Sequence, residues 1–285
     1  MPAQLIDGKG LAQTIREDLA RDVQDFRQRT GVSPGLAVML VGDDPASAVY
    51  VRNKKKACDA AGLLVDDYAL PASTSQKELL ALIDKVNHDS NIHGILVQLP
   101  LPKHMDSEAV LHAVDPHKDA DGFHPYNIGR LVEGHPIFIP CTPKGVIKMI
   151  ESTGQSIEGK RAVVLGRSNI VGKPVALLLL HQHATVTICH SRTKDLPAIC
   201  RDADIVVAAI GKAEFVKGDM VKDGAIVVDV GINRRESGGL VGDVDFEAVR
   251  QHAGWISPVP GGVGPMTIAM LLQNTVEGAK RSVGP

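Results

Sequence analysis

This sequence has few aromatic side chains and almost no net charge. Five Phe, three Tyr and one Trp make up only 3% of the 285 residues, too few for the stacking platforms on which single-stranded nucleic acids bind. Thirty-one Lys and Arg against 33 Asp and Glu leave a formal net charge of -2. No global positive field therefore draws the protein to nucleic acid or anionic lipid. We expect a small molecule as the ligand and no nucleic-acid partner.

Long apolar runs are absent too. The longest, such as LAVMLV at 36–41 and VALLLL at 175–180, fall far short of the roughly 18 residues that a membrane-spanning helix requires. The segment MPAQLIDGKG has neither the layout of a secretion signal nor the Arg-rich bias of a transit peptide. We expect no membrane partner and a cytoplasmic location.

Cysteine and histidine show no metal-binding pattern. His181 and His183 form an isolated HxH without an acidic or cysteine partner, so a solvated helix end is favoured over a metal site. Reduced, mostly buried thiols are expected because no CxxC pair is present. The widely spaced cysteines are Cys58, Cys141, Cys189 and Cys200.

Short β-branched apolar runs alternate with longer segments of 3.6-residue period, which is typical of βα units and parallel sheets. The predicted fold class is α/β. We predict helices ending near Thr30, spanning Ala46 to Ala61, and opening with the capping box Ser75-x-x-Glu78. The predicted strands lie at 36–41, 63–69, 94–99, 161–165, 184–189, 204–210 and 225–230.

Residues 115–145 are rich in Pro, Gly, His and Asp and have little periodicity, so this stretch is either a hinge or a ligand-binding loop. We place the domain boundary here. Residues 1–120, completed by a C-terminal helix at 265–285, form the first predicted domain. Residues 140–260 form a second, Rossmann-like domain, and an active-site cleft is expected between the two.

The segment after 160 has the order of a dinucleotide-binding turn. A strand at Arg161 to Leu165 leads into the loop from Gly166 to Gly172, and a helix follows. Such a turn aims helix N–H groups at a pyrophosphate, which makes Gly166, Arg167 and Ser168 candidate cofactor residues. The spacing is G-x5-G rather than G-x-G-x-x-G, so an ordinary βα turn remains the alternative.

The end of the next strand indicates which cofactor is preferred. It reads Cys189-His-Ser-Arg-Thr193 and lacks the acid that would accept from an NAD ribose. Ser191 can hydrogen-bond to a 2'-phosphate, and Arg192 and Arg167 can pair with one. The prediction is NADP over NAD, with ordinary surface arginines as the alternative.

Polar side chains in the first half suggest a chemical site. Tyr50 and Lys54 are spaced i,i+4 and share a helix face, although a lysine run is more often a solvated face. Gln98 interrupts an apolar strand near its carboxyl end, where α/β sheets place ligands; a satisfied core amide is the alternative. Asp119 and Asp121 can each hold a ligand or cap a turn.

Together these segments resemble the bifunctional methylenetetrahydrofolate dehydrogenase/cyclohydrolase family over nearly the whole chain. Ala120 departs from the valine usual there. The matching segments are PASAVYVRNKKKAC at 45–58, GILVQLPLP at 94–102, KDADGFHPYNIGRL at 118–131, PCTPKGV at 140–146, GRSNIVGKP at 166–174, VVDVGIN at 227–233 and PVPGGVGPMT at 258–267.

The resemblance implies an NADP-dependent enzyme of one-carbon metabolism, which supports purine and amino-acid biosynthesis, and it suggests a homodimer. It implies that Lys54 is the cyclohydrolase acid/base, that Gln98 orients it, that Tyr50 stacks on the folate and that Asp121 grips the pterin. It also assigns substrate binding to the Pro260-Gly261-Gly262 turn and cofactor binding to Ile232. The alternatives are a monofunctional dehydrogenase, a shikimate-dehydrogenase-like oxidoreductase and a silent NADP-binding sensor. The presence of Tyr50, Lys54 and Gln98 argues against all three.

Overall fold

The computed structural model describes residues 2–235 and 238–284. Contacts divide the chain into two compact units, which we name after their main sheets. The six-stranded unit comprises Met1–Gln13 and Thr142–Thr267, and the three-stranded unit comprises Thr14–Cys141 and Ile268–Pro285. Within the described residues, no helix combines the length and apolar character needed to cross a bilayer.

The described helices and strands alternate along most of the chain. In chain order they are β1 (Gln4–Leu5), α1 (Gly8–Thr30), β2 (Gly35–Val41), α2 (Pro45–Ala60), β3 (Leu64–Leu70), α3 (Gln76–Asn87), β4 (Gly94–Val97), α4 (Ser107–His112), α5 (Pro125–Val132), α6 (Cys141–Glu151), β5 (Arg161–Leu165), α7 (Gly172–His181), β6 (Thr185–Cys189), α8 (Leu196–Arg201), β7 (Ile205–Ala208), β8 (Ile226–Asp229), β9 (Asn233–Arg234), β10 (Leu240–Val241), α9 (Phe246–Val249), β11 (Trp255–Ile256) and α10 (Val263–Ser282).

The three-stranded unit is a parallel sheet with strand order β3-β2-β4. Its central strand is continuously apolar and almost wholly buried, as expected for a parallel strand covered on both faces. Met39 packs there against Leu79 and Ile83 of α3. The predicted capping box is confirmed: the Ser75 Oγ accepts from the Glu78 N–H at 3.3 Å, and the Glu78 carboxylate accepts from the Ser75 N–H at 2.8 Å.

The main sheet of the six-stranded unit is also parallel, with strand order β1-β11-β8-β7-β5-β6, and the short strands β9 and β10 form a separate antiparallel pair. The central strands β7 and β8 of the main sheet are fully buried. Because all strands of the main sheet run the same way, the loops after β5, β6, β7 and β8 meet at one edge of the sheet, where open α/β sheets bind ligands. The predicted α/β class is confirmed.

Two features differ from the sequence-based expectation. Gln4 pairs with Trp255, so the first thirteen residues lie in the six-stranded unit rather than with the segment up to 120. The stretch 115–145 contains α5 and the start of α6, although its sequence shows little helical periodicity. Pro125 opens α5 and Pro265 lies in the first turn of α10, positions where the missing proline N–H costs no hydrogen bond.

Candidate functional site

The first cluster of polar residues is centred on Lys54 in α2. The helix begins where the Asp44 carboxylate accepts from the Ser47 N–H at 2.7 Å. Ser47, Val51, Lys54 and Cys58 then follow at helical spacing, and all four are buried. Lys54 is only 6% exposed, so it belongs to the inward face of the helix.

The neighbouring lysines of the same run behave differently. The Lys55 ammonium pairs with the Asp67 carboxylate, and Lys56 is exposed. The solvated-face interpretation therefore holds for Lys56 and is wrong for Lys54.

Gln98 meets this lysine from the end of β4. The Lys54 Nζ donates to the Gln98 Oε1 at 3.1 Å. The Gln98 Nε2 donates to the carbonyl of Leu99 at 2.7 Å, and this bond turns the amide so that its oxygen faces the lysine. Within the described residues the ammonium has this one hydrogen-bond partner, which leaves two of its three donors for water or a ligand.

Tyr50 lies one helical turn before Lys54 and is half-buried. Burial raises the pKa of its phenol above the ordinary value, so the hydroxyl stays protonated at neutral pH. A neutral aromatic ring beside a buried lysine offers a flat apolar surface with one polar edge.

The two candidate carboxylates of the 118–131 segment have different surroundings. Asp119 accepts from the N–H groups of Gly122 at 3.1 Å and His124 at 2.8 Å, and from the Asn127 Nδ2 at 2.8 Å. It is therefore the residue that holds the turn. Gly122 has φ of +74°, and a Cβ there would lie 2.7 Å from the backbone nitrogen of Pro140, so the turn requires glycine.

Asp121 differs from Asp119 in its hydrogen bonding. Within the described part of the chain its carboxylate accepts no hydrogen bond. Desolvation raises its pKa to about 6, against the lowering effect of the Lys54 charge and with a further raising contribution from Asp119. The structure thus brings Lys54, Gln98 and Asp121 together and resolves which aspartate caps the turn.

The second cluster is the turn after β5 in the six-stranded unit. Gly166 has φ of +116°, and a Cβ there would lie 2.1 Å from the Ala209 carbonyl oxygen. A Cβ on Gly172 would lie 2.3 Å from the Gly166 oxygen. The Ser168 Oγ accepts from the N–H groups of Val171 and Gly172 at 3.2 Å each, which shapes the entry to α7. Both ends of the G-x5-G spacing therefore require glycine, and the helix N-terminus is presented as in a dinucleotide turn.

A cavity of about 340 Å³ opens beside this turn. The predicted residues Gly166, Arg167, Ser168 and Ser191 all line it. The sequence analysis did not identify the remaining lining residues. Leu196 is the first residue of α8, and each of the others lies at the carboxyl end of a sheet strand or in the loop that follows it. The full set of remaining lining residues is Leu165, Cys189, His190, Leu196, Ala209, Ile210, Lys212 and Phe215.

Two other predicted positions, Arg192 and Ile232, lie outside that lining. Arg192 is exposed, and its backbone N–H donates to the His190 Nδ1 at 3.2 Å. Ile232 is 48% exposed. Their cofactor roles stay predictions.

The Pro260-Gly261-Gly262 turn is tightly built. Gly261 has φ of +107°, and a Cβ on Gly262 would lie 2.6 Å from the Pro258 oxygen. The helix α10 begins directly afterwards at Val263, two residues before the predicted start of the C-terminal helix. A substrate role for this turn, and the expected cleft, stay predictions.

Comparisons with known proteins identify the family of the chain. Residues 6–121 match the family model of the tetrahydrofolate dehydrogenase/cyclohydrolase catalytic domain, and residues 140–283 match that of its NAD(P)-binding domain. "Bifunctional protein FolD" of Magnetococcus marinus is 62% identical over 280 residues, which cover 98% of each chain.

Two solved structures are similar over almost the full length. The bifunctional methylenetetrahydrofolate dehydrogenase/cyclohydrolase of Campylobacter jejuni is 52% identical with a TM-score of 0.95, covering 98% of this chain and 99% of that one. The Trypanosoma brucei enzyme, complexed with NADP cofactor and inhibitor, is 42% identical with a TM-score of 0.96, covering 100% of both chains.

Proposed function

The chain belongs to the tetrahydrofolate dehydrogenase/cyclohydrolase family, and from this membership and the geometry of the site we propose that it catalyses two successive folate reactions. It oxidises 5,10-methylenetetrahydrofolate to 5,10-methenyltetrahydrofolate with NADP+. It then hydrolyses this product to 10-formyltetrahydrofolate. The observation that carries the second activity is the buried Lys54 hydrogen-bonded to Gln98.

The oxidation step requires little acid–base catalysis by the protein. The reacting carbon lies between two nitrogen atoms whose lone pairs stabilise the cation that forms when hydride leaves, so positioning of the substrate supplies most of the catalysis. Asp121 has a free carboxylate that can accept two hydrogen bonds from the pterin amino and ring N–H groups. Tyr50 supplies a flat surface for the ring.

The six-stranded unit has the features that a dinucleotide requires. Only glycine fits at Gly166, and the α7 N-terminus beside Ser168 is a favourable place for phosphate charge. Arg167 and Ser191 line the adjoining cavity and can bind a 2'-phosphate, with Arg192 and Ile232 proposed at its margin. When bound, NADP+ supplies the hydride acceptor.

The hydrolysis needs proton transfers, which Lys54 can carry. Water adds to the methenyl carbon and loses a proton. The bond from that carbon to the pterin nitrogen then breaks as this nitrogen takes up a proton and the new hydroxyl group gives up its proton, which leaves a formyl carbonyl on the other nitrogen. Lys54 serves as the proton carrier in these transfers. Gln98 holds the lysine side chain in place through its oriented oxygen.

The test is an assay with 5,10-methylenetetrahydrofolate and NADP+ that follows NADPH and 10-formyltetrahydrofolate separately. We expect both products. Accumulation of the methenyl compound at its spontaneous hydrolysis rate would identify a monofunctional dehydrogenase. Binding of NADP without turnover would identify a sensor.

We also propose a homodimer and a cytoplasmic location, both suggested by the family resemblance. Leu64 on edge strand β3 and Ile188 on edge strand β6 are 55% and 41% exposed, and such apolar edges favour association. All four cysteines are free and buried, as is usual in a reducing compartment. Light scattering that gives the monomer mass at micromolar concentration would contradict the dimer.

A further inference from the structure

We propose that Asp243 is a positioning residue for the dinucleotide. Its buried carboxylate holds the 210–212 turn in the shape that lines the nucleotide cavity, and Asp229 holds Asp243 in turn. The inference rests on the proposed NADP-dependent activity. Neither aspartate lines the cavity itself, so both act through the backbone of the turn.

Asp243 lies at 0% exposure and its carboxylate accepts four hydrogen bonds. Oδ2 accepts from the N–H groups of Ile210 at 2.6 Å and Gly211 at 2.9 Å. Oδ1 accepts from the Lys212 N–H at 2.9 Å and from the Asn233 Nδ2 at 3.0 Å. Three successive backbone donors thus converge on one side chain, and this convergence determines the path of the turn.

The turn held in this way is part of the cavity wall. Ile210 and Lys212 both line the cavity, as does Gly166 of the glycine turn. The turn follows β7, whose neighbour in the sheet is β5, so it lies beside the loop that presents the α7 N-terminus. A shift of the 210–212 backbone therefore changes the space available to a bound nucleotide.

Asp229 fixes the backbone on which Asp243 stands. Its Oδ1 accepts from the N–H groups of Gly231 and Asp243, and its Oδ2 accepts from the Val244 N–H, each at 2.9 Å. The Asp229 N–H in turn donates to the Ser257 Oγ at 2.8 Å. Hydrogen bonds thus link the end of β8, through the Asp229 and Asp243 carboxylates, to the 210–212 turn that lines the cavity.

Glycines let the two carboxylates approach the backbone. A Cβ on Gly242 would lie 1.8 Å from the Asp229 Oδ2, and one on Gly231 would lie 2.3 Å from the Asp243 Oδ1. Within the described residues neither aspartate pairs with a lysine or arginine. Burying a carboxylate without a cationic partner costs desolvation free energy. This cost favours a role for the two aspartates in shaping the site over a role in stability alone.

The experiment compares the full-length enzyme with its Asp243→Asn variant. Replacing one carboxylate oxygen by an NH2 group turns a donor toward the backbone N–H groups and breaks at least one of the four bonds. We expect the Kd and KM for NADP to rise about tenfold or more, as for loss of hydrogen bonds to a charged group. The kcat of the dehydrogenase at saturating NADP and the cyclohydrolase rate are expected to stay within about threefold. A purely structural role would instead lower both rates in proportion to the folded fraction.

Asp204→Asn is the matched control. Asp204 precedes the same strand β7 at its amino end, where its carboxylate accepts from the Arg161 N–H at 2.9 Å and the Lys222 Nζ at 2.6 Å. It is also an aspartate that braces the backbone of the same unit, but away from the cavity edge. We expect its NADP Kd to change less than about twofold.

Asn233→Ala is the milder second variant if Asp243→Asn does not fold. It removes one donor to Asp243 and one weak bond to the Val241 carbonyl, and we expect a rise in the NADP Kd of about two- to fivefold. An unchanged NADP Kd in a folded Asp243→Asn variant, or in Asn233→Ala if only that variant folds, overturns the inference. Failure of the wild-type enzyme to reduce NADP+ with the folate substrate overturns the proposed function instead.

Discussion

Replacing Lys54 by methionine separates the two chemistries of this site. Methionine keeps the length and apolar stem of the side chain and deletes the amine, so the buried face of α2 around Val51 and Cys58 stays filled. The lost hydrogen bond to Gln98 is worth about 1.5 to 3 kcal/mol if charge-assisted. Removing the desolvation of a buried ammonium offsets much of this loss, so we expect a folded variant.

The two activities should respond unequally. General acid–base catalysis is worth about 100- to 10,000-fold, and we expect a cyclohydrolase deficit in that range. Hydride transfer needs no proton carrier, so the dehydrogenase kcat should remain measurable. The folate KM should rise, because the Lys54 charge lowers the pKa of Asp121 and its removal leaves more of that carboxyl protonated. This increase in KM should shrink as the pH rises, because a larger fraction of Asp121 is then ionised in the variant.

The assay follows NADPH formation and, separately, the loss of methenyltetrahydrofolate absorbance, with circular dichroism to verify folding. Lys56→Met is the control, because Lys56 belongs to the same lysine run but is exposed; both activities should stay within about twofold. A folded Lys54→Met variant that hydrolyses methenyltetrahydrofolate within about threefold of the wild-type rate would refute the assignment of this lysine.

Three further predictions concern the cofactor and the pterin carboxylate. Arg192→Ala should weaken NADP use about ten- to a hundredfold, the loss expected for a charge-assisted phosphate contact, and leave NAD use unchanged; equal losses for both cofactors in steady-state kinetics would mark the arginine as structural. Gly166→Ala should abolish NADP binding in titration calorimetry, because a Cβ would lie 2.1 Å from the Ala209 oxygen at a backbone φ of +116°; wild-type affinity would contradict the close packing. The folate KM should rise as the pH falls through about 6, because desolvation raises the pKa of Asp121 to about 6 and its carboxylate accepts both pterin hydrogen bonds only when it is ionised. At one pH unit below that pKa about a tenth of the carboxyl remains ionised. Asp121→Asn should make the folate KM independent of pH in this range.

Local sequence patterns predict much of the secondary structure. Seven strands of the two parallel sheets and the helices α1, α2 and α3 follow from period and from residues at their ends, such as the Ser75 and Glu78 capping box. The two-residue strands β1 and β11 have no such signal. The requirement for glycine at Gly166 and Gly172 could also be suspected from the spacing alone. Pro125 lies in the first turn of α5, where composition suggested a loop, because a proline is found both at helix starts and in turns.

Contacts between residues far apart in the chain could be identified only from the tertiary structure. Gln4 finds its strand partner at Trp255. Asp119 rather than Asp121 caps the turn because Asn127 donates to its carboxylate. Asp243 gains its role from donors more than thirty residues away at Ile210 and Gly211.

The sequence by itself determined which residue types stand near the end of each strand and which of them share a helix face, because backbone periodicity is local. Tertiary structure decided which of these polar groups are saturated by hydrogen bonds and which stay free. Asp119 and Asp121 are two residues apart and chemically identical, yet one is satisfied and the other is not. The difference arises because hydrogen-bond partners and desolvation come from chain segments that only folding brings together.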